Sequence, residues 1–231
     1  MTLSNKSYFT EIWDEYVDAS EYNSELYQNM AKSLNKVLFG RVVDFGNGGI
    51  INYDTDTLAK VICVDILFKN KVLTENRIDF IYGDFYNIRL EGKADCILAQ
   101  FLFHHLTDDR KLKGSLRIAR CKLNDDGKLL VGEVVVPRGV EIIQNMLRPV
   151  LFYLLKALRK PELRFFSIRS LRSLLFDQGF VIVRIETIPT GKRLRPAPVL
   201  FPKMEIPGRL YPLRCVLIQA AGKPAPKGDS V

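Results

Sequence analysis

Seven short apolar runs, each closed by turn-forming or polar residues, constrain this chain more than any other feature: Val42–Phe45, Val61–Val64, Asp79–Tyr82, Cys96–Ala99, Leu129–Val136, Phe180–Ile185 and Cys215–Ala220. A strand with one wet face alternates apolar and polar residues, whereas continuous β-branched runs of this length suit strands covered on both faces. The runs therefore predict an α/β fold, with a largely parallel sheet between layers of helix. Helical patterns lie between several of them, notably Asp108–Leu123 and Ile168–Gln178. Upstream, Phe9, Ile12, Trp13 and Tyr16, then Leu26, Tyr27, Met30, Leu34 and Leu38, recur at helical spacing and predict two helices over 8–38, joined near Ala19 to Asn23. At 231 residues the expectation is one domain over 1–231 with an elaborated lid or loop.

Two segments exceed a minimal version of such a fold. Residues 140–160, VEIIQNMLRPVLFYLLKALRK, predict a helical excursion broken near Pro149, within a lid or insertion over about 138–165. Residues 189–212 hold prolines at 189, 196, 198, 202, 207 and 212, which predicts an extended loop. Excursions from a regular scaffold are where recognition of a substrate usually sits.

Charge is divided unevenly along the chain. The net +8 arises from 17 Lys/Arg against 20 Asp/Glu in residues 1–136 and 17 against 6 in 137–231, that is −3 and +11. A basic C-terminal part suits an anionic substrate, a membrane surface or nucleic acid, or a solvated face that keeps the protein soluble. Cys63, Cys96, Cys121 and Cys215 are widely spaced, three of them inside strand-like runs, as expected of buried reduced thiols rather than a disulfide framework or a zinc site. With no secretory signal pattern and no run long enough to span a bilayer, the expectation is a cytoplasmic, metal-free protein.

The residues that close the runs carry the chemistry. VVDFGNGGI, residues 42–50, places an acid and three glycines at the end of the first strand, where α/β folds meet nucleotide ligands. Asp65 ends VICVD, placed to accept hydrogen bonds from vicinal ribose hydroxyls, and Asp84 comes after IDFIYG on the same edge. Then come ADCILAQFLFHHL, a strand running into two histidines, LNDDGKLLVGEVV, which predicts a turn followed by a strand, and LRSLLFDQGFVIV, joining helix to strand through Gly179.

This order resembles the class I S-adenosylmethionine-dependent methyltransferases, particularly the small-molecule branch that includes quinone and natural-product enzymes. The resemblance covers about residues 40–135 and returns at 165–185 and 211–221. It implies a Rossmann-like three-layer sandwich around a seven-stranded, mostly parallel sheet whose last strand is antiparallel, with S-adenosylmethionine along the carboxyl edge. Carried over, Gly46 and Gly48, with Asp44 and Asn47, face the amino-acid end of the donor. Asp65 and its neighbour Ile66 hold the ribose, Asp84 and Phe85 the adenine, and Gln100 marks where backbone meets the donor's amino group. Two departures stand out. Ile50 replaces a third glycine, with Gly49 one position early, and INYDTDTLAK predicts a turn with at most a short helix.

Each of these residues also has an ordinary structural role open to it. Asp44 suits a clasp for the glycine loop, and Gly46 and Gly48 suit positive backbone dihedrals. His104 and His105, the only histidines, are candidate general bases near the methyl donor, His105 also a substrate contact, and the sequence does not separate them. Tyr8 and Tyr16 suit either helix core or a substrate lining. The function implied is methyl transfer to O, N or C of a small metabolite, anionic or hydrophobic. The alternatives are a non-methylating binding protein on the same fold, or a peripheral-membrane lipid or quinone methyltransferase. The sharper reading of 140–160 favours the last, since Arg148, Lys156, Arg159 and Lys160 flank an apolar stripe. Nucleic acid is disfavoured, because no aromatic-basic platform and no Asn/Asp-Pro-Pro-aromatic motif is present.

Overall fold

The computed structural model describes residues 24–66, 77–84, 88–158, 162–191, 193–194, 206–207 and 213–223. The elements in chain order are α1 (Ser24–Leu34), β1 (Arg41–Phe45), β2 (Lys60–Asp65), β3 (Ile78–Tyr82), β4 (Ala94–Gln100), a 3-10 turn (Phe103–His105), α2 (Asp109–Lys122), β5 (Leu123–Val135), α3 (Arg138–Ala157), α4 (Ile168–Asp177) and β6 (Phe180–Ile188). Two short strands, β7 (Arg193–Leu194) and β8 (Ile206–Pro207), precede the long β9 (Arg214–Gly222). All seven apolar runs are strands of one sheet in the order β3-β2-β1-β4-β5-β9-β6. The first five pair in parallel, and β9 lies antiparallel to both β5 and β6.

Alternation along the strands divides the core between two faces. Val43, Phe45, Ile62, Val64, Ile97, Ala99 and Val131 pack with Leu112 and Leu116 of α2 and Leu171 and Leu175 of α4. The intervening Val42, Val61, Cys63, Cys96, Leu98 and Leu130 pack with Met30 and Leu34 of α1. Both faces of the inner strands are thus covered, which is why their runs are so apolar, while the edge strands β3 and β6 leave Tyr82, Val181 and Val183 exposed. Burial pushes the Cys63 thiol up to about 12, and Cys63, Cys96 and Cys215 are buried free thiols while Cys121 is exposed.

The termini of α2 and α4 follow from local chemistry. Asp108 caps α2 by accepting from the Arg110 N–H, and Ser167 caps α4 by accepting from Ser170 N–H. Gly179, at φ 82°, makes the turn from α4 into β6 that a residue with a Cβ resists.

Three expectations change. The predicted break at Pro149 does not occur: α3 runs continuously through it. A proline removes one N–H to the carbonyl four residues back, here Asn145, and both residues are exposed, where the local cost of that loss is least. The turn expected at LNDDG is absorbed into β5 as an irregularity, the partner of β5 stepping from Ala94 to Cys96 while β5 itself advances from Leu123 to Lys128. The loop expected over 189–212 contains the antiparallel β7–β8 pair, and the rest of it lies outside the described residues apart from residues 189–191. The first of the two N-terminal helices, with Tyr8 and Tyr16, also lies outside the described residues, whereas the second is α1.

Candidate active site at the carboxyl edge

The parallel strands place their carboxyl ends side by side, with β2, β1, β4 and β5 consecutive in the sheet. The first turn is built where β1 stops. Gly46, Gly48 and Gly49 adopt φ of 73°, 63° and 89°, so the turn needs residues without a Cβ penalty at three of four positions. Gly46 has a second, internal reason: a Cβ there would lie 2.6 Å from Leu102 Cδ1. Its N–H donates to the Val64 carbonyl at 2.9 Å, and the Gly48 N–H donates to Asp65 Oδ2 at 2.8 Å. Asp65 therefore fastens the glycine turn to the end of β2. The half-buried Ile66 comes directly after it.

Asp44 points to the α1 side of the sheet and is buried. Its Oδ2 accepts from the Tyr53 hydroxyl at 2.9 Å and from Asn47 Nδ2 at 3.1 Å. Asn47 in turn accepts from the Gly49 N–H at 3.0 Å. The clasp role is therefore realised, and Tyr53 is its unforeseen member. Oδ1 is equally buried and has no hydrogen-bond partner among the described residues. Burial pushes the Asp44 carboxyl up to about 7, against the opposing effect of the two hydrogen bonds. Residues 46–59 hold turns and no helix, as the composition of INYDTDTLAK predicts, with Tyr53 and Leu58 buried in the core instead.

A second constellation lies at β4 and β5. Directly after Gln100, Phe101 takes φ 52°, the one non-glycine residue with positive φ among those described. Its N–H donates to the Gly132 carbonyl at 2.7 Å and its ring meets Tyr27 edge-on at 5.6 Å, contacts that hold the unfavourable conformation in place. This reversal sets the 3-10 turn carrying both histidines against β5. There Glu133, fully buried, accepts from the His104 backbone N–H through Oε2 at 3.2 Å and from the Val134 N–H through Oε1 at 2.8 Å. The His104 ring Nδ1 lies 2.7 Å from Oε1. Both Glu133 oxygens thus accept from backbone N–H groups, and with Glu133 as a carboxylate the His104 Nδ1 is the donor in the third contact. Nε2 is then the bare, basic nitrogen of the neutral ring.

The two histidines thereby separate. His104 keeps 14% of its side chain exposed and stacks on Phe165 at 6.2 Å. His105 packs against it at 4.0 Å between ring centroids, and desolvation, with a smaller contribution from His104, holds its pKa well below the usual 6.5. His105 is thus a neutral neighbour that does not oppose charging of His104.

Asp84 lies half-buried two residues beyond β3, on the same edge, and Gln100 ends β4 opposite Gly132. Phe85 lies outside the described residues. Glu133 escaped notice in the sequence, although an acid inside the buried run LLVGEVVV is costly unless paired, and that cost was the available signal.

The order and direction of the strands, with a glycine turn after β1 and an acid ending β2, define the fold of the class I S-adenosylmethionine-dependent methyltransferases. No family model matches the chain. A curated relative, an uncharacterized methyltransferase of Staphylococcus carnosus (strain TM300), is 27% identical over 122 residues, 51% of this chain and 56% of that protein. The chain is thus matched over about half the length of that relative. Among solved structures, a chain of the complex between the Haloferax volcanii Trm112 methyltransferase activator and a methyltransferase aligns with a TM-score of 0.69 at 15% identity, over 95% of this chain and 98% of that one. The DhpI–SAH complex gives 0.62 at 12% identity, over 96% and 97%. Burkholderia thailandensis 1,6-didemethyltoxoflavin-N1-methyltransferase, with its substrate and S-adenosylhomocysteine bound, gives 0.62 at 15% identity, over 94% and 87%.

Proposed function

We propose that the protein transfers a methyl group from S-adenosylmethionine to O, N or C of a small acceptor, with His104 as the general base and Glu133 as its positioning residue. The observation that carries this reading is the His104–Glu133 pair at the same sheet edge as the Asp65-fastened glycine turn. Adjacent strands are about 4.8 Å apart, so the ends of β2 and β5 stand roughly 15 Å apart, room for an elongated nucleoside with an amino-acid tail. The residues fit such a donor: Asp65 sets a carboxylate at the end of β2 where ribose hydroxyls would be met, and the orphaned Asp44 Oδ1 is suited to a cationic ammonium. Asn47 and Gly48 present the turn between them.

When bound, the donor supplies an electrophilic sulfonium methyl. The chain's own part is to hold the acceptor in line, exclude water and take its proton. His104 Nε2 takes the proton from the acceptor. Glu133 fixes the ring by its Nδ1–H and stabilises the imidazolium that results, while the neutral His105 beside it adds no opposing charge. The toxoflavin enzyme, solved with bound 1,6-didemethyltoxoflavin, supports an acceptor of that class.

Calorimetry with S-adenosylhomocysteine tests the donor site. Binding by the wild type and a loss of at least roughly tenfold in Asp65→Ala are expected, because a charged acceptor of ribose hydroxyls is removed. Unchanged affinity would refute the assignment, and no binding by the wild type would favour the non-methylating reading.

A further inference from the structure

Helix α3 is built inside out. Its polar side chains grip the body of the protein: Glu141, the one acid of the helix and its one buried residue, accepts from Arg138 and from Ser170 at 2.9 Å each. Gln144 donates to the Leu163 carbonyl at 2.9 Å and accepts from the Phe165 N–H at 3.2 Å. Arg148 pairs with Glu162 at 2.7 Å and donates to the Thr107 carbonyl. Ile143, Met146, Leu147, Val150, Tyr153 and Leu154 recur at helical spacing on the opposite side, and Met146, Val150 and Tyr153 are 75%, 66% and 70% exposed. A helix folding onto a core turns these faces the other way. Water is therefore a poor solvent for this stripe, which is continuous over the length of the helix.

We infer that the outward face of α3 docks on an anionic lipid surface. Charge selects this occupant. Lys156 is exposed, Arg138 is exposed while pairing with Glu141, the sole acid of the helix, which is buried, and residues 137–231 carry 17 Lys/Arg against 6 Asp/Glu. An apolar stripe flanked by cations, with no exposed carboxylate to oppose them, suits an interfacial helix lying in the plane of anionic headgroups. A second copy of the same face brings only further cations to meet them. Spanning is a different matter: among the described residues no helix is long and apolar enough to cross a membrane.

The same grips tie this helix to the candidate site. Gln144 holds Phe165, which stacks on the His104 ring, and the Arg164 N–H donates to the His104 carbonyl at 2.9 Å. Docking brings the lipid surface beside the turn that carries His104. If the methyl-transfer reading stands, this makes the acceptor an apolar molecule drawn from the bilayer, a consequence that rests on that reading, whereas docking itself does not.

Flotation of the full chain with vesicles tests the docking. Recovery with an equal mixture of phosphatidylglycerol and phosphatidylcholine is expected, with weaker recovery on phosphatidylcholine alone or in high salt. The double variant M146E/V150E, altered only at exposed positions, should lose roughly tenfold or more in vesicle binding while its melting curve and S-adenosylhomocysteine affinity stay those of the wild type. Absence of flotation overturns the inference, as does flotation undiminished in the double variant. A concentration-dependent dimer that the same substitutions dissociate, without vesicle binding, assigns the face to a second copy and overturns it too. Donor affinity, read separately on the same samples, tells failure of docking from failure of the methyl-transfer reading.

Discussion

Asp44→Asn should make the protein less sensitive to pH between 5 and 8. In the folded chain burial raises the Asp44 carboxyl from 3.8 to about 7, so the native state holds a proton that the unfolded state releases. The associated stability is fully present below the unfolded value of 3.8 and is lost as pH rises through about 7. A difference of about three units corresponds to about 4 kcal/mol in total, of which about 3 kcal/mol is lost between pH 5 and pH 8. Asparagine keeps an acceptor for Tyr53 and Asn47, cannot ionise, and offers an amide N–H for the neighbourhood of the orphaned oxygen. Urea unfolding of both proteins at half-unit pH intervals isolates this contribution as the difference between the two curves. The variant should gain on the wild type by about 3 kcal/mol across the window. A constant difference from pH 5 to pH 8 would mean that Asp44 carries no such proton and that its burial is compensated by a group on the far side of Oδ1.

Other substitutions separate chemistry from architecture. Glu133→Gln should lower kcat roughly a hundredfold or more with little change in donor affinity, since it removes the charge that stabilises the His104 imidazolium; an unaltered kcat would exclude Glu133 as positioning residue. Glu133→Ala should in addition cost about 1–3 kcal/mol in urea unfolding for each backbone N–H it strands, those of His104 and Val134. His104→Gln should lower kcat roughly a hundredfold or more with donor affinity unchanged, while His105→Asn should leave kcat within a few-fold of the wild type. Gly46→Ala should destabilise by about 1–2 kcal/mol from its positive φ, and by more if Leu102 does not yield, again read from urea unfolding.

The inner strands were legible because each satisfies two covered faces at once, and the resulting continuous apolar runs are hard to mistake; the edge strands β3 and β6 show the same runs with Tyr82, Val181 and Val183 exposed. Asp65 was legible for the complementary reason that a charge closing such a run demands a partner, and it has one in the Gly48 N–H. The histidines could be placed on the edge but not told apart, because what separates them is Glu133, a neighbour on β5 brought close only by the Phe101 reversal. Tyr53 escaped for the same reason: nothing local marks it as the donor to a carboxylate nine residues earlier. The continuity of α3 through Pro149 depends on which side of the helix faces water, a fact of tertiary placement that the local rule for proline does not contain.

The position of β9 has a consequence for how the sheet is assembled during synthesis. This strand is the last of the seven to leave the ribosome, yet it fills the gap between β5 and β6, pairing Val131 with Ile218 on one side and Ile185 with the same residue on the other. Until it emerges, β5 presents an open edge and β6 has no partner in the sheet. The growing polypeptide therefore carries a sticky, half-finished β-sheet from Val135 until Arg214 emerges, and a ribosome stalled just short of Arg214 would leave a product primed to pair with a neighbour rather than with itself.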